Sequence, residues 1–88
     1  MKVNGEFVVR QVMENIVAIP VGQTALRFNG MLFLNEVSKV IWDCLQQDTD
    51  LSAIVTAVTE VYEVSAQEAE TDILEFLDQL RKVQLLEE

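Results

Sequence analysis

The pattern of apolar residues changes near Asn35, and this change limits the folds open to the chain. Residues 7–34 are rich in Val, Ile and Phe, in short runs separated by Glu14-Asn15, the segment 20–22 and Asn29-Gly30. Short apolar runs between turn residues are typical of an antiparallel meander. After Asn35, apolar residues recur at helical spacing in three segments. The sequence therefore predicts an α+β fold, a three-stranded antiparallel sheet followed by three helices.

The turn residues predict how the strands connect. The expected strands cover residues 7–13, 15–20 and 31–34. The first two form a hairpin around Glu14-Asn15. Asn29-Gly30 permits the positive φ angles of a tight hairpin turn. We therefore expect residues 31–34 to fold back on a short run that ends at Phe28.

Each predicted helix has a polar residue suited to its N-cap. Asn35, Asp50 and Ser65 precede helices expected over about 36–46, 51–62 and from 66 to a last turn that holds Arg81 and Lys82. Ser65 and Glu68 have the spacing of a capping box. Trp42 lies off the apolar stripe of the first helix, so it either packs against a second surface or is partly exposed. We favour packing, and we expect Leu85 and Leu86 to fold back onto the core.

Size and charge restrict the classes of function. With 88 residues, half of them hydrophobic, the chain is expected to form one domain over 1–88. It has no run of eighteen apolar residues and its start lacks a signal-like apolar run, so a soluble cytoplasmic protein is expected. Residues 1–35 hold three cations and two acids, for +1; the rest hold three cations and thirteen acids, for −10. Nucleic acid and anionic membranes are therefore poor ligands.

No catalytic or metal-binding constellation is visible. The chain has no His and one Cys, Cys44, whose helical position indicates a small buried apolar residue. Glu68, Asp72, Glu75 and Asp78 recur at helical spacing, which is compatible with cation binding but more typical of a solvated face. We expect no cofactor and a protein that holds a partner rather than converts one.

The third predicted strand, Met31-Leu32-Phe33-Leu34, carries no charge or proline that would block its edge. If its outer margin is open, the strand can add a peptide by β-augmentation. The alternatives are a place in the middle of the sheet or a covering helix. Leu74 lies about 100° from Ile73 around the last helix, and an exposed Leu there would form a wall of a groove beside the strand.

The sequence as a whole resembles a known family. The segments IPVGQTALRFNGMLFLNEVSKVIWDCL, VYEV and DILEFLDQLRKVQLLE are similar to the PqqD family, protein D of pyrroloquinoline quinone biosynthesis, also found as the recognition element of ribosomally made, modified peptides. The resemblance implies a winged-helix-like fold with three strands and three helices. It implies a non-catalytic adaptor that binds a precursor's leader beside the third strand and third helix. The adaptor then presents the leader to a modifying enzyme, often a radical S-adenosylmethionine enzyme.

Carried over to this chain, the resemblance assigns peptide binding to two segments. The expected binding residues are Met31, Leu32, Phe33, Leu34, Asp72, Ile73, Leu74, Glu75, Phe76, Leu77 and Leu80. Asp72, Glu75 and Asp78 would disfavour an acidic leader. The family often has Gly where Gln84 stands, so the last helix is expected to end differently here. Two other classes stay open: a winged-helix nucleic-acid binder and a homo-oligomer, such as a homodimer that pairs through the same edge.

Overall fold

The computed structural model describes all 88 residues. Its strands are β1 (Lys2–Val3), β2 (Phe7–Val12), β3 (Asn15–Pro20), β4 (Leu32–Leu34) and β5 (Leu86–Glu87), and its helices are α1 (Thr24–Arg27), α2 (Glu36–Cys44), α3 (Leu51–Val61) and α4 (Ala66–Lys82). β2, β3 and β4 form an antiparallel sheet in that order. The predicted α+β fold with three main strands and three main helices is confirmed.

The partner of β4 differs from the prediction. β4 does not fold back on a run ending at Phe28; it pairs with β3, in a register that sets Phe33 opposite Val17. The residues before Phe28 instead form the single turn α1. The Glu6 backbone N–H donates to the Thr24 hydroxyl at 2.8 Å, which ties α1 to the start of β2. The residues directly after β3 therefore do not join the sheet, and β3 pairs with β2 on one side and with β4 on the other.

All three predicted N-caps are present. The Asp50 carboxylate accepts from the Ala53 N–H at 2.8 Å, and the Ser65 hydroxyl accepts from the Glu68 N–H at 3.1 Å. A complete capping box occurs at Asn35 instead of Ser65, because the Ser38 hydroxyl accepts from the Asn35 N–H in return. α2 thus begins directly after β4, with no loop between them.

The core lies between the sheet and the three main helices. It is a cluster of fourteen buried apolar residues, most of which lie in β3, β4, α2, α3 and α4. Trp42 is only 2% exposed. Phe7 from the sheet meets it edge to face, with 5.1 Å between ring centroids. The preferred prediction, that Trp42 packs against a second surface, is confirmed, and the second surface is the sheet.

The C-terminal end returns to the core as predicted. Leu85 is fully buried, and Leu86 is half-buried in β5. β5 pairs with β1 to form a two-stranded ribbon that the sequence did not reveal, with Val3 opposite Leu86.

The end of α4 contradicts the expectation drawn from Gln84. The Leu85 N–H donates to the Leu80 carbonyl at 2.8 Å and the Gln84 N–H to the Arg81 carbonyl at 3.0 Å. This pair of bonds is the Schellman motif, which glycine-ended helices use. Gln84 adopts the left-handed conformation, with φ of 60°. The helix therefore ends in the ordinary way, and Gln84 bears the steric cost that a glycine would avoid.

Gln84→Gly is expected to raise the free energy of unfolding by about 0.5–1 kcal/mol, because glycine enters the left-handed region without a Cβ clash. Urea unfolding, followed by Trp42 fluorescence, measures the change. Gln84→Ala keeps the Cβ and is the matched control, so it should show no gain. Equal gains from both variants would contradict the conformational explanation.

Candidate functional site

β4 lies at an edge of the three-stranded sheet and pairs with β3 alone. No other strand occupies its outer margin. This agrees with the edge position suggested by its uncharged sequence and excludes a place in the middle of the sheet. An open edge leaves backbone N–H and C=O groups without protein partners.

Side chains alternate across β4. Leu34 is 5% exposed and packs into the core, whereas Phe33 is 69% exposed. Met31, just before the strand, is 50% exposed. β4 thus has one apolar face buried in the core and a large apolar side chain exposed on the other face. Such a strand offers an approaching chain both backbone hydrogen-bonding groups and apolar contact area.

A cleft of about 270 Å³ opens beside this edge. It lies between β4, the first two turns of α2 and the middle of α4. Its lining residues are Phe33, Asn35, Val37, Ser38, Ile41, Asp72, Glu75, Phe76 and Gln79. The edge strand and the long helix therefore form two walls of one groove, and α2 closes its end.

The sequence explains why these elements meet at the cleft. The capping box of Asn35 and Ser38, with both backbone-to-side-chain bonds at 2.8 Å, fixes α2 at the end of β4. Val37 and Ile41 lie one turn apart on α2 and form an apolar lining with Phe76. On α4, Asp72, Phe76 and their neighbours at three- and four-residue spacing share the face that is turned to the cleft.

The two carboxylates of the cleft have no partner within the chain. Asp72 and Glu75 take part in no side-chain hydrogen bond or ion pair. No Lys or Arg lines the cleft. The lining thus combines apolar side chains with two carboxylates whose negative charge no Lys or Arg of the cleft neutralises.

A second, polar hollow of about 390 Å³ continues from the cleft toward the start of α4. Asp72 borders both. The other lining residues are Ser65, Gln67, Glu68 and Thr71, and none is apolar. Along α4 the surface therefore changes from apolar at Phe76 to polar and acidic at Glu68.

Four of the residues expected to bind peptide line the cleft, namely Phe33, Asp72, Glu75 and Phe76. Met31, Leu32 and Leu34 belong to the edge segment itself. Ile73, Leu77 and Leu80 are fully buried in the core, because they form the stripe of α4 that packs on the other elements. Contrary to the expectation, these three side chains have no surface to offer a guest.

Leu74 also departs from its expected role. It is 43% exposed, as its position off the core stripe indicated. It does not line the cleft, however. At about 100° per residue it lies roughly 200° around α4 from Asp72, on another side of the helix. Leu74 therefore lies outside the lining of the cleft, and its contact with a peptide stays a prediction.

Sequence reasoning did not predict that residues at the start of α2, or Gln79 on α4, line the cleft. Asn35, Val37, Ser38, Ile41 and Gln79 line it but were absent from the expected set. A partial signal exists, since Gln79 is three residues from Phe76 and Ile41 is four from Val37. That spacing shows which residues share a face, but only the crossing of α2 and α4 shows that the two faces meet.

Other chemical groups are sparse. No group of three or more His, Cys, Asp or Glu side chains is arranged to hold a metal ion. Every buried side-chain nitrogen and oxygen has a hydrogen-bond partner. None of the helices has the length and apolar composition needed to cross a membrane. Cys44 is half-buried, and burial, aided by the neighbouring Asp43 carboxylate, raises the pKa of its thiol.

The sequence and the fold match known proteins. The family model described as coenzyme PQQ synthesis protein D (PqqD) matches residues 14–86. A solved structure of TbiB1 in complex with the TbiA(beta) leader peptide superimposes with a TM-score of 0.73 and 25% sequence identity, covering 99% of this chain and 95% of that one. No curated protein sequence gives a significant match.

Cys44 is expected to react with a thiol reagent severalfold more slowly in the folded protein than in the chain unfolded by urea. Its raised pKa leaves less thiolate at a mildly alkaline pH, and half-burial restricts access. Stopped-flow measurement with a chromogenic disulfide gives both rates under otherwise equal conditions. A faster reaction in the folded state would show an activated thiol and contradict the reading of Cys44 as a packing residue.

Proposed function

The chain belongs to the coenzyme PQQ synthesis protein D family, and we propose that it binds the leader segment of a ribosomally made precursor peptide as a strand added beside β4. The family match spans most of the chain. The similar TbiB1 structure contains a leader peptide. Both findings support a role as a peptide-recognition element.

The observation that carries the proposal is the open edge of β4 next to the cleft. An extended peptide can satisfy the free backbone groups of an edge strand while its side chains enter adjacent pockets. Here the edge is uncharged and the neighbouring cleft is partly apolar. Backbone pairing supplies affinity that depends little on sequence, and the cleft supplies selection.

Each segment has a distinct part in this proposal. Residues 31–34 offer the main-chain edge, with Phe33 as an exposed apolar contact. Asp72 and Glu75 on α4 face the side chains of the guest, together with the half-buried Val37 on α2 and the small exposed part of Phe76. Ile73, Leu77 and Leu80, which are fully buried, hold α4 at its distance from β4.

The adaptor would act without catalysis of its own, in the cytoplasm, and would pass the held peptide to a modifying enzyme. A radical S-adenosylmethionine enzyme is the class that the family resemblance implies. The open, partly apolar cleft beside the strand edge fits a holding role. The same edge could also pair with its copy in a homodimer when no peptide is present.

Titration of labelled protein with the leader peptide encoded beside its gene is expected to shift the amide resonances of residues 31–37 and of the α4 face at 72, 75, 76 and 79. Phe33→Ala should weaken binding about tenfold, because the loss of one large apolar contact is worth roughly 1–2 kcal/mol. Calorimetry measures the affinity.

Leu26→Ala is the matched control, since Leu26 is also a large exposed apolar residue but lies in α1, away from the cleft. It should leave affinity unchanged. Shifts confined to the β2–β3 hairpin or to α3, or equal losses in both variants, would refute strand addition at β4. Light scattering on the free protein shows whether a homodimer must dissociate first.

A further inference from the structure

We propose that Asp72 and Glu75 select a leader that carries a Lys or Arg two residues from a large apolar side chain, both turned toward the cleft. This inference rests on the proposed function and names the peptide chemistry that the site prefers. It depends on the distribution of charge around the cleft and on the spacing along α4.

The cations of α2 and α4 are already paired elsewhere. Lys39 Nζ lies 2.7 Å from the Asp43 carboxylate, Arg81 lies 2.9 Å from Glu88, and Lys82 lies 3.4 Å from Asp78. Asp78 is thus neutralised and does not line the cleft. Asp72 and Glu75 line it and have no such partner.

The helix dipole does not compensate these two carboxylates either. Glu68 stands in the first turn of α4, where a negative charge interacts favourably with the positive end of the helix. That effect fades within one turn. Asp72 and Glu75 lie in the second and third turns. In a cleft without any Lys or Arg, their field repels an acidic peptide and attracts a basic one.

The spacing of the lining residues matches that of an extended chain. Phe76 and Asp72 are four helical residues apart, which is about 6 Å along α4. Two residues of a β-strand span about 6.6 Å and point to the same side. A guest running along α4 can therefore place an apolar side chain over the half-buried Val37 and the small exposed part of Phe76, and its next cleft-facing side chain beside Asp72 and Glu75.

A displayed library of random dodecapeptides tests the inference without knowledge of the natural leader. Selection on the wild-type protein is expected to enrich the pattern of a large apolar residue, any residue, then Lys or Arg, in either chain direction. Enriched peptides are synthesised, and their affinities are measured by fluorescence anisotropy. The double variant Asp72→Asn/Glu75→Gln should bind them roughly three- to tenfold more weakly, as the loss of two exposed ion pairs allows. High salt should reduce the difference.

Glu60→Gln/Glu70→Gln is the matched control. It makes the same change in net charge at two exposed positions that do not line the cleft, and it should keep wild-type affinity. Equal weakening in both double variants would show a general charge effect and overturn the inference. If the enriched peptides carry no basic residue but bind the Phe33→Ala variant more weakly than the wild type, the inference is overturned while strand addition is supported. A library that yields no peptide sensitive to Phe33→Ala would count against the proposed function itself.

Discussion

The free backbone edge of β4 is the constraint on which the rest of the structure depends. An open, uncharged strand edge invites pairing with any extended chain, including another copy, and proteins ordinarily block it. This chain keeps the edge but limits it to three residues, Leu32–Leu34. Its net charge of −9 opposes close approach of copies. The short edge and the repulsion between negatively charged copies therefore both oppose self-association. The edge stays accessible to a peptide that is not acidic.

The cleft exists because two helix starts are fixed independently. The Asn35–Ser38 capping box joins α2 to the end of β4 without a loop, so the first turns of α2 must lie beside the edge. α4 is positioned by its buried stripe, which includes Ile73, Leu77 and Leu80. The face of α4 that remains is turned toward β4 across the gap.

Local signals in the sequence predicted much of this arrangement. Asn35, Asp50 and Ser65 mark helix starts because their side chains can accept backbone N–H groups, a property independent of tertiary context. The partner of β4 was mispredicted, since Asn29-Gly30 is compatible with a hairpin whether or not a strand precedes it. The ribbon of β1 and β5 joins residues more than eighty positions apart, and no local pattern reports such a pairing. The cleft lining was only partly foreseen, because it depends on how α2 and α4 cross.

The separation of core and cleft residues on α4 suggests how one fold can serve different peptides. Residues at 73, 77 and 80 keep the helix in place, and substitutions there would disturb packing. Residues at 72, 75 and 79 lie on a different face of α4, and all three are exposed. In the proposed mode of binding, backbone pairing at β4 does not depend on which side chains stand at these positions. Under the proposed strand addition, selectivity can therefore change through the exposed face of α4 while the fold and the backbone pairing at β4 stay the same.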